Sequence, residues 1–391
     1  MSRPLKATTV AMVLSAVAGI ALTAPQAVAG PAPIGTITVQ HARLDWTPTR
    51  TAAQIATLNA QTRAPASIPT FTATVHDNAS TFHYTMVGKD PFVAQTNPST
   101  TIDTTLIPIV ITFSNGDTWD PSVIDSCDSQ SALTRTQNSP IFVAQPWKFG
   151  RTSVGSGQYI DAFQRAEFYS QTNLTTGINP GYHVKLALKT HAPLVLHVPT
   201  TDAAESTTVC GTHKLGGVEI NYLDTAIQHY ITGTLGSAAT TTFPLFVLDN
   251  VVEYAGTTGL CCVLGYHNAM INTGRPQTYG VAMYDNTGQL PDVRDTSAIS
   301  HEVAEWMNDP FGDNPTKPWG NIGQVSGCQN NLEVGDPLSG TGITDTLNDK
   351  AYHLQELAFF SWFYHSSPSL GVNGWFSSNR TFTTSAPPCT P

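Results

Sequence analysis

The sequence is poor in charge, and basic residues are its scarcer charged class. Only 12% of the 391 residues are charged, and 18 Lys and Arg stand against 28 Asp and Glu, which gives a formal net charge of -10. Proteins hold a phosphate backbone mainly through clustered Lys and Arg, and the sequence has no such cluster. We therefore expect no nucleic-acid partner.

Several common functional signatures are also missing. The sequence has no Gly-x-Ser-x-Gly elbow, no phosphate-binding loop and no dinucleotide-binding fingerprint, which argues against serine hydrolases of that type and nucleotide-binding enzymes. It has no Cys-x-x-Cys spacing, so a zinc-thiolate site is disfavoured. No apolar run approaches the roughly 20 residues that a helix needs to cross a bilayer, and we expect no membrane span.

The N-terminal residues have the three parts of a secretory signal peptide in the usual order. Arg3 and Lys6 precede an apolar run from Val10 to Leu22, and the small residues Ala27-Val28-Ala29 follow it. This pattern is typical of a leader that is cleaved after its last small residue. We expect residues 1–29 to be removed and the mature protein to be secreted to the extracellular space, with the periplasm as the alternative.

An exported chain meets an oxidising compartment, where cysteines pair. Six cysteines follow the signal peptide: Cys127, Cys210, Cys261, Cys262, Cys328 and Cys389. The even number predicts up to three disulfides. The adjacent Cys261 and Cys262 could close a vicinal ring, but we favour their pairing with two different distant partners.

The hydrophobic pattern predicts an α+β fold. Residues 30–70 are rich in Pro, Thr and Ala and indicate an extended arm or propeptide-like segment, and residues 71–205 indicate a β-rich region. Residues 206–391 indicate a region of helices with a small sheet, which contains the candidate metal-binding residues described below. The predicted strands are Phe71–Val75, Leu106–Phe113, Val184–Leu188, Leu194–Val198, Pro244–Leu248 and Tyr279–Tyr284. The predicted helices are Ala52–Gln61, Tyr159–Tyr169, Asn221–Ile231, Thr296–Asn308 and Tyr352–Tyr364.

The helix predicted at Thr296–Asn308 carries most of the chemistry. Because a helix turns about 100° per residue, His301 and Glu305 share one face, flanked by Glu302 and Asp309. The apolar residues of the segment fall on the opposite face and would bury it. We expect the ionisable side to face a cleft or a second layer of the protein.

This segment resembles the zinc-binding helix of the zincin metallopeptidases, His-Glu-x-x-His, with Glu305 in the place of the second histidine. A carboxylate oxygen binds zinc at about 2.0–2.2 Å, so His301 and Glu305 can still chelate the ion. Exchange of nitrogen for oxygen weakens the preference for Zn²⁺, and the same donors also suit Ca²⁺ or Mn²⁺. Zn²⁺ is the ion that the resemblance implies.

A third metal ligand is expected from the acidic segment downstream, Asn330 to Pro337. Glu333 or Asp336 would complete a His-carboxylate-carboxylate site with one position open for water. We favour Glu333 narrowly, because its spacing resembles that of zincins with a glutamate as third ligand. Asp336 stands between Gly335 and Pro337 and could equally be a turn residue.

Two further residues are expected at the reaction centre. By resemblance to zincins, Glu302 is the general base that takes a proton from the metal-polarised water. His267 could stabilise a developing oxyanion or supply a ligand, and the adjacent Tyr266 could provide the oxyanion contact.

A broader resemblance covers about residues 245–391. The order of Gly-Tyr-His, a strand, His-Glu-Val-Ala-Glu, Glu-Val-Gly-Asp and an aromatic segment is similar to the phosphate-induced (exordium-like) secreted proteins and related bacterial proteins. The matching acidic and histidine positions are His301, Glu302, Glu305, Glu333 and Asp336. This resemblance implies the same cluster but does not imply peptidase action.

Two classes of function follow from these features. The first is a secreted metal-dependent hydrolase, a zinc metallopeptidase-like protein that acts on an extracellular peptide or protein, with the loop Phe311–Gly320 beside the substrate cleft. The second is a non-catalytic secreted protein that binds cell-surface carbohydrate or protein and has a structural metal or none. A closed cluster is typical of a structural site, and an open metal face is typical of a catalytic one.

Overall fold

Short helices and many strands alternate along the chain, and the α+β prediction is confirmed. The computed structural model describes residues 33–37, 67–290 and 292–390. The predicted signal peptide and the predicted helix Ala52–Gln61 lie outside the described residues. Of the predicted arm, Gly35 and Thr36 form a short strand.

The strands in chain order are β1 (Gly35–Thr36), β2 (Thr70–Asp77), β3 (Ser80–Val87), β4 (Ser99–Phe113), β5 (Thr118–Trp119), β6 (Gln145–Phe149), β7 (Thr152–Gly157), β8 (His183–Thr190), β9 (Leu194–Val198), β10 (Ala203–Cys210), β11 (His213–Glu219), β12 (Phe243–Asp249), β13 (Val251–Tyr254), β14 (Cys261–Val263), β15 (Gly265–Asn272), β16 (Arg275–Tyr284), β17 (Pro315–Ile322), β18 (Val325–Asn331), β19 (Gly342–Leu347) and β20 (Lys350–Gln355). The α-helices are α1 (Ala132–Gln137), α2 (Tyr159–Glu167), α3 (Tyr169–Thr172), α4 (Ile220–Tyr230), α5 (Ser297–Asn308) and α6 (Phe360–Phe363).

A seven-stranded mixed sheet forms the centre, and its strands come from both halves of the sequence. Its order is β15-β16-β12-β4-β5, and β8 and β9 pair with successive parts of the long strand β4. Strand β12 is buried along its whole length and pairs in parallel with β4 and β16. A continuous apolar run is the pattern expected of a parallel strand that is covered on both faces.

Two hydrophobic cores lie on the two faces of this sheet. Because side chains alternate along a strand, Leu245 and Val247 of β12 enter one core, and Phe246 and Leu248 enter the other. The first core also contains apolar residues of α2, α5 and α6. The second contains α4 and the smaller sheet β1-β10-β11-β13-β14. Helix α5 is thus anchored to the central sheet, where Trp306 stacks on Phe243 at 3.6 Å between ring centroids.

The longer predicted elements that fall on described residues are confirmed, apart from the last helix. The prediction of a helix at Tyr352–Tyr364 is wrong: Lys350–Gln355 is strand β20, and only Phe360–Phe363 is helical. The physical reason lies in the two residues before β20. Asn348 and Asp349 have φ values of 51° and 60° and form a two-residue hairpin turn between β19 and β20, for which positive φ at both central residues is required.

Three disulfides are present, and they correct the favoured pairing of the adjacent cysteines. Cys261 and Cys262 pair with each other, while Cys127 pairs with Cys210 and Cys328 pairs with Cys389. The distant cysteines satisfy one another, with Cα atoms 5.5 and 5.8 Å apart, so no partner remains for the adjacent pair. In the described part of the chain, no helix combines the length and the hydropathy that a membrane span requires.

Candidate metal centre

Helix α5 is buried on its polar side as well as on its apolar side. Ile299, Val303 and Trp306 enter the first core, as the periodicity predicts. The opposite side does not face open solvent, because β15, β20 and the segment after β18 cover it. The exposed fractions of the six candidate site residues are 8% for His267, 6% for His301, 6% for Glu302, 4% for Glu305, 8% for Glu333 and 4% for Asp336.

His301 meets two carboxylates through one ring nitrogen. Its Nε2 lies 3.0 Å from Oε2 of Glu305, one helical turn away, and 3.4 Å from Oδ1 of Asp336. Asp336 begins a short 3-10 turn, Asp336–Leu338, at the end of the predicted acidic segment. The fold therefore brings Asp336, rather than Glu333, next to the His301–Glu305 pair.

The other ring nitrogen of His301 is held by Gln355. Its Nδ1 lies 3.0 Å from Oε1 of Gln355, and Nε2 of that glutamine donates to the backbone carbonyl of Gly335 at 2.5 Å. The carbonyl accepts only, so the amide NH₂ must point towards it and Oε1 must point towards the imidazole. Nδ1 then carries a proton, so the neutral form of the ring, which is the form that binds a metal, has its lone pair on Nε2, facing the two carboxylates.

Gly335 lets the downstream segment approach the helix closely. Its backbone N–H donates to Oε1 of Glu305 at 3.0 Å, and the backbone N–H of Asp336 donates to the same oxygen at 3.3 Å. A Cβ atom at Gly335 would lie 2.5 Å from Nδ1 of His301, closer than side-chain packing permits. These two backbone donors leave Oε2 of Glu305 facing the imidazoles.

The Asp336 carboxylate is oriented by two amide side chains. Gln324 donates from Nε2 to its Oδ1, and Gln329 donates to its Oδ2 at 2.8 Å. Gln324 lies in the turn between β17 and β18, and Gln329 lies in β18. The disulfide between Cys328 and Cys389 joins this hairpin to the C-terminal segment. Such outer hydrogen bonds are typical of carboxylates that are held ready to bind a metal.

His267, on strand β15, faces a second group of carboxylates. Its Nδ1 lies 3.7 Å from Oε2 of Glu302 and 3.8 Å from Oε2 of Glu305. Its Nε2 lies 3.9 Å from Oε2 of Glu333. Gly265 makes room for Glu302, because a Cβ atom at position 265 would lie 2.7 Å from Cγ of Glu302.

Two buried atoms of this second group have no hydrogen-bond partner among the described residues. They are Nε2 of His267 and Oε2 of Glu333, and they face each other across the 3.9 Å separation. Asn331 holds the other oxygen of Glu333 by donating to Oε1 at 2.6 Å. A buried polar atom without a partner is costly unless a ligand or a small movement satisfies it.

Burial and mutual repulsion shift the pKa values of these groups. Burial, partly offset by the histidines and reinforced by Glu305, raises the pKa of Glu302 to about 7. Burial and the neighbouring carboxylates raise the pKa of Glu333 and of Asp336. For His301, burial lowers the pKa, but Glu305 and Asp336 outweigh it, so the net pKa is raised well above the usual value. In the absence of a cation, burial and mutual repulsion therefore favour the protonated forms of these groups.

Some expected participants point elsewhere. The hydroxyl of Tyr266 lies 3.1 Å from Asp224 Oδ1 inside the second core, so it is not available for an oxyanion contact. Asp309 accepts the backbone N–H groups of Asp313 and Asn314 at 3.0 and 2.8 Å and holds the loop after α5.

Sequence reasoning missed the amides that orient the ligands. Gln355 comes from a strand that the sequence analysis assigned to a helix, and Gln324 and Gln329 come from a hairpin without a recognisable motif. The only local signal was glycine: Gly265 and Gly335 stand beside candidate site residues, where close approach of the backbone is required.

A further group with metal-ligating atoms in close range is Asp125, Cys127 and His213. Cys127 is bonded to Cys210, so no thiolate is available there. Asp125 instead accepts hydrogen bonds from the side chains of Asn250 and Asn286. This group is explained as a polar network that fixes a loop.

No known protein family matches the chain, and comparisons with curated proteins and with solved structures find no significant match.

Proposed function

We propose that this protein is a secreted metal-dependent hydrolase with Zn²⁺ as its resident cation, held by His301, Glu305 and Asp336. The observation that carries the proposal is the arrangement around one atom. Nε2 of His301 faces two carboxylate oxygens at 3.0 and 3.4 Å, while Gln355 fixes the proton on Nδ1. Without a proton or a cation between them, a lone pair and two carboxylates would repel one another.

The residues present fit a zinc ion. Ligand atoms bound to one tetrahedral zinc at about 2.0–2.1 Å stand about 3.3–3.4 Å apart, close to the distances around His301. One nitrogen and two carboxylate oxygens from protein leave one position for water, as in catalytic zinc sites. The backbone and amide donors around Glu305 and Asp336 supply the outer hydrogen bonds that such ligands require.

The roles of the residues follow from their positions. A bound Zn²⁺ supplies Lewis acidity, which polarises water and a substrate carbonyl. Glu302, one residue from a ligand and not part of the His301 group, is the base that accepts the proton from this water. His267, in contact range of Glu302, is placed to donate a hydrogen bond to an oxyanion. The resemblance to zincins favours a peptide or protein as the substrate.

A structural cation is the second candidate, because one observation favours it. The six residues of the cluster are at most 8% exposed, and a buried, fully ligated cluster is typical of structural sites. In that case the protein is a secreted binding protein of the cell surface, and the ion stabilises the junction of α5, β15 and β20.

The test combines elemental analysis with a peptidase screen. We expect the purified protein to contain zinc, and Asp336→Asn to lose the zinc of the His301 position while Glu333→Gln retains at least one equivalent. Glu302→Gln should keep zinc at the His301 position and lose peptide hydrolysis. Zinc without hydrolysis in the wild type would support the structural role, and absence of bound metal from every preparation made without chelator would overturn both candidates.

A further inference from the structure

The oxygen Oε2 of Glu305 belongs to two groups of potential ligands. It lies 3.0 Å from Nε2 of His301 on one side and 3.8 Å from Nδ1 of His267 on the other. In each group the ligand atoms lie within 4.8 Å of one another: His301, Glu305 and Asp336 form the first, and His267, Glu302 and Glu305 form the second. Only the first is needed for the single zinc ion of the proposed function.

The distances in the second group suit a shared cation better than hydrogen bonds. Nδ1 of His267 is 3.7 and 3.8 Å from its two carboxylate oxygens, beyond the range of about 2.7–3.2 Å for an N–H···O bond. Two ligand atoms bound to one tetrahedral cation are expected to be about 3.3–3.4 Å apart. The two distances from Nδ1 of His267 exceed this value by only a few tenths of an ångström. A small inward movement would complete such a site.

A cation bound to Nδ1 of His267 would explain why Nε2 of His267 and Oε2 of Glu333 have no hydrogen-bond partner among the described residues. If Nδ1 of His267 binds a cation, its Nε2 carries the proton and points at Oε2 of Glu333. This is the carboxylate–histidine–metal arrangement, in which an outer carboxylate fixes the ring of a metal-bound histidine. Both atoms are buried without another partner among the described residues, and closure of the 3.9 Å gap would satisfy both at once.

Charge balance favours two divalent ions over one. Glu302, Glu305, Glu333 and Asp336 are buried together, and their ion-pair contacts within the described ranges are with His267 and His301 only. With both histidines neutral and all four carboxylates ionised, the cluster carries four negative charges. One divalent ion balances two of them, so the other two carboxylates would have to keep protons in a site where unpaired charge is expensive, whereas two ions balance all four.

We infer that the centre binds two divalent transition-metal cations, with Glu305 as the bridging ligand. The second cation is held by His267 and Glu302, and Glu333 is the positioning residue that orients His267. The inference rests on the proposed function, because Glu305 serves both positions. Glu302 and His267 are then ligands when both positions are filled, and their roles as base and as oxyanion donor apply to the singly loaded centre.

The experiment measures metal content directly and does not depend on activity. The full-chain protein is stripped with chelator, reloaded with Zn²⁺ alone and analysed by mass spectrometry, and a parallel sample is loaded with Mn²⁺ for electron paramagnetic resonance. The variants are Glu302→Gln, His267→Gln, Glu333→Gln and Asp336→Asn. Glu167→Gln is the control, since Glu167 is a buried carboxylate outside both groups. Circular dichroism identifies any variant that fails to fold.

Two equivalents of zinc in the wild type and in Glu167→Gln support the inference, together with one equivalent in Glu302→Gln, His267→Gln and Asp336→Asn. The Mn²⁺ sample should then show exchange coupling, and Glu333→Gln should bind the second ion 10- to 100-fold more weakly. If the wild type and Glu302→Gln each bind one equivalent of zinc and Asp336→Asn binds none, the second site is overturned and the proposed function remains intact. No bound zinc in folded wild-type protein overturns both. If the substitutions at Glu302 and His267 both prevent folding, an uncoupled Mn²⁺ spectrum of one equivalent in the wild type is the overturning result.

Discussion

Gln355 provides the sharpest test of the centre, because it acts on the metal only through His301. Gln355→Met keeps the length of the side chain but removes both hydrogen bonds of the amide. Nδ1–H of His301 is then left without a partner, whereas the carbonyl of Gly335 still accepts the backbone N–H of Leu338 at 3.0 Å. A buried polar group that loses its partner costs about 1–3 kcal/mol. With one such group, Nδ1–H of His301, the free energy of unfolding should fall by about 1–3 kcal/mol.

The same substitution should weaken zinc binding more than a remote change would. Loss of an outer partner of a metal-bound histidine typically reduces affinity 10- to 100-fold, or about 1.4–2.7 kcal/mol. Calorimetric titration of the stripped protein with Zn²⁺ measures this loss, and denaturant unfolding of the same sample measures stability. The expected loss has a specific cause: without the acceptor Oε1, the imidazole is free to rotate and to adopt the other tautomer.

Gln164→Met is the matched control. Gln164 is also a fully buried glutamine, but neither amide atom has a hydrogen-bond partner among the described residues. Its replacement by an apolar side chain of similar size should leave zinc affinity unchanged and stability equal or higher. The reasoning about Gln355 is refuted if its methionine variant binds zinc as tightly as the control does, provided that both are folded.

Three further predictions follow from other parts of the structure. Gly335→Ala places a methyl group 2.5 Å from Nδ1 of His301; thermal unfolding should show a loss of about 1–3 kcal/mol, and zinc titration should show weaker binding, whereas unchanged values would contradict the close contact. Burial, with a contribution from Asp295, raises the pKa of Asp285 to about 6 from 3.8, so the folded state binds the proton more tightly and stability should fall as pH rises from about 4 to 6. The whole shift is worth about 3 kcal/mol, of which about 2 kcal/mol is lost between pH 4 and pH 6. Urea unfolding at both pH values should show this loss in the wild type but not in Asp285→Asn. Peptide mapping without reduction should recover Cys261 and Cys262 oxidised within one peptide, and a crosslink from either cysteine to another peptide would contradict the pairing.

The hydrophobic pattern was sufficient to predict the framework of the site. Periodicity predicted the helix at Thr296–Asn308, its apolar side and the buried strand beneath it, because these features are local consequences of period and burial. Periodicity failed at β20, because the aromatic residues that follow this strand suggested a helix. The two-residue turn at Asn348-Asp349 instead produces a hairpin of β19 and β20. Strand β20 matters for the candidate centre, since it supplies Gln355 to His301.

The choice between Glu333 and Asp336 was beyond sequence reasoning for a different reason. Both residues follow the same hairpin, three positions apart, and either carboxylate can bind zinc. Their separation into two groups depends on the 3-10 turn at Asp336–Leu338 and on the backbone donors at Gly335, which fix Oε1 of Glu305. Only the folded chain relates these atoms to His301 on one side and His267 on the other.

Burial of the polar side of α5 links the stability of this fold to its chemistry. A helix that carries His301, Glu302 and Glu305 is ordinarily stable when that side meets water, whereas here β15, β20 and the segment around Gly335 cover it. Buried carboxylates must be protonated, paired or bound to a metal. Burial raises the pKa of Glu302 to about 7, so this carboxyl holds its proton close to neutral pH when no cation is bound. In the proposed centre, cations would replace such protons at neutral pH and would bind only the folded chain with this geometry, so the ions that would perform the hydrolysis would also stabilise the packing of β15 and β20 against α5.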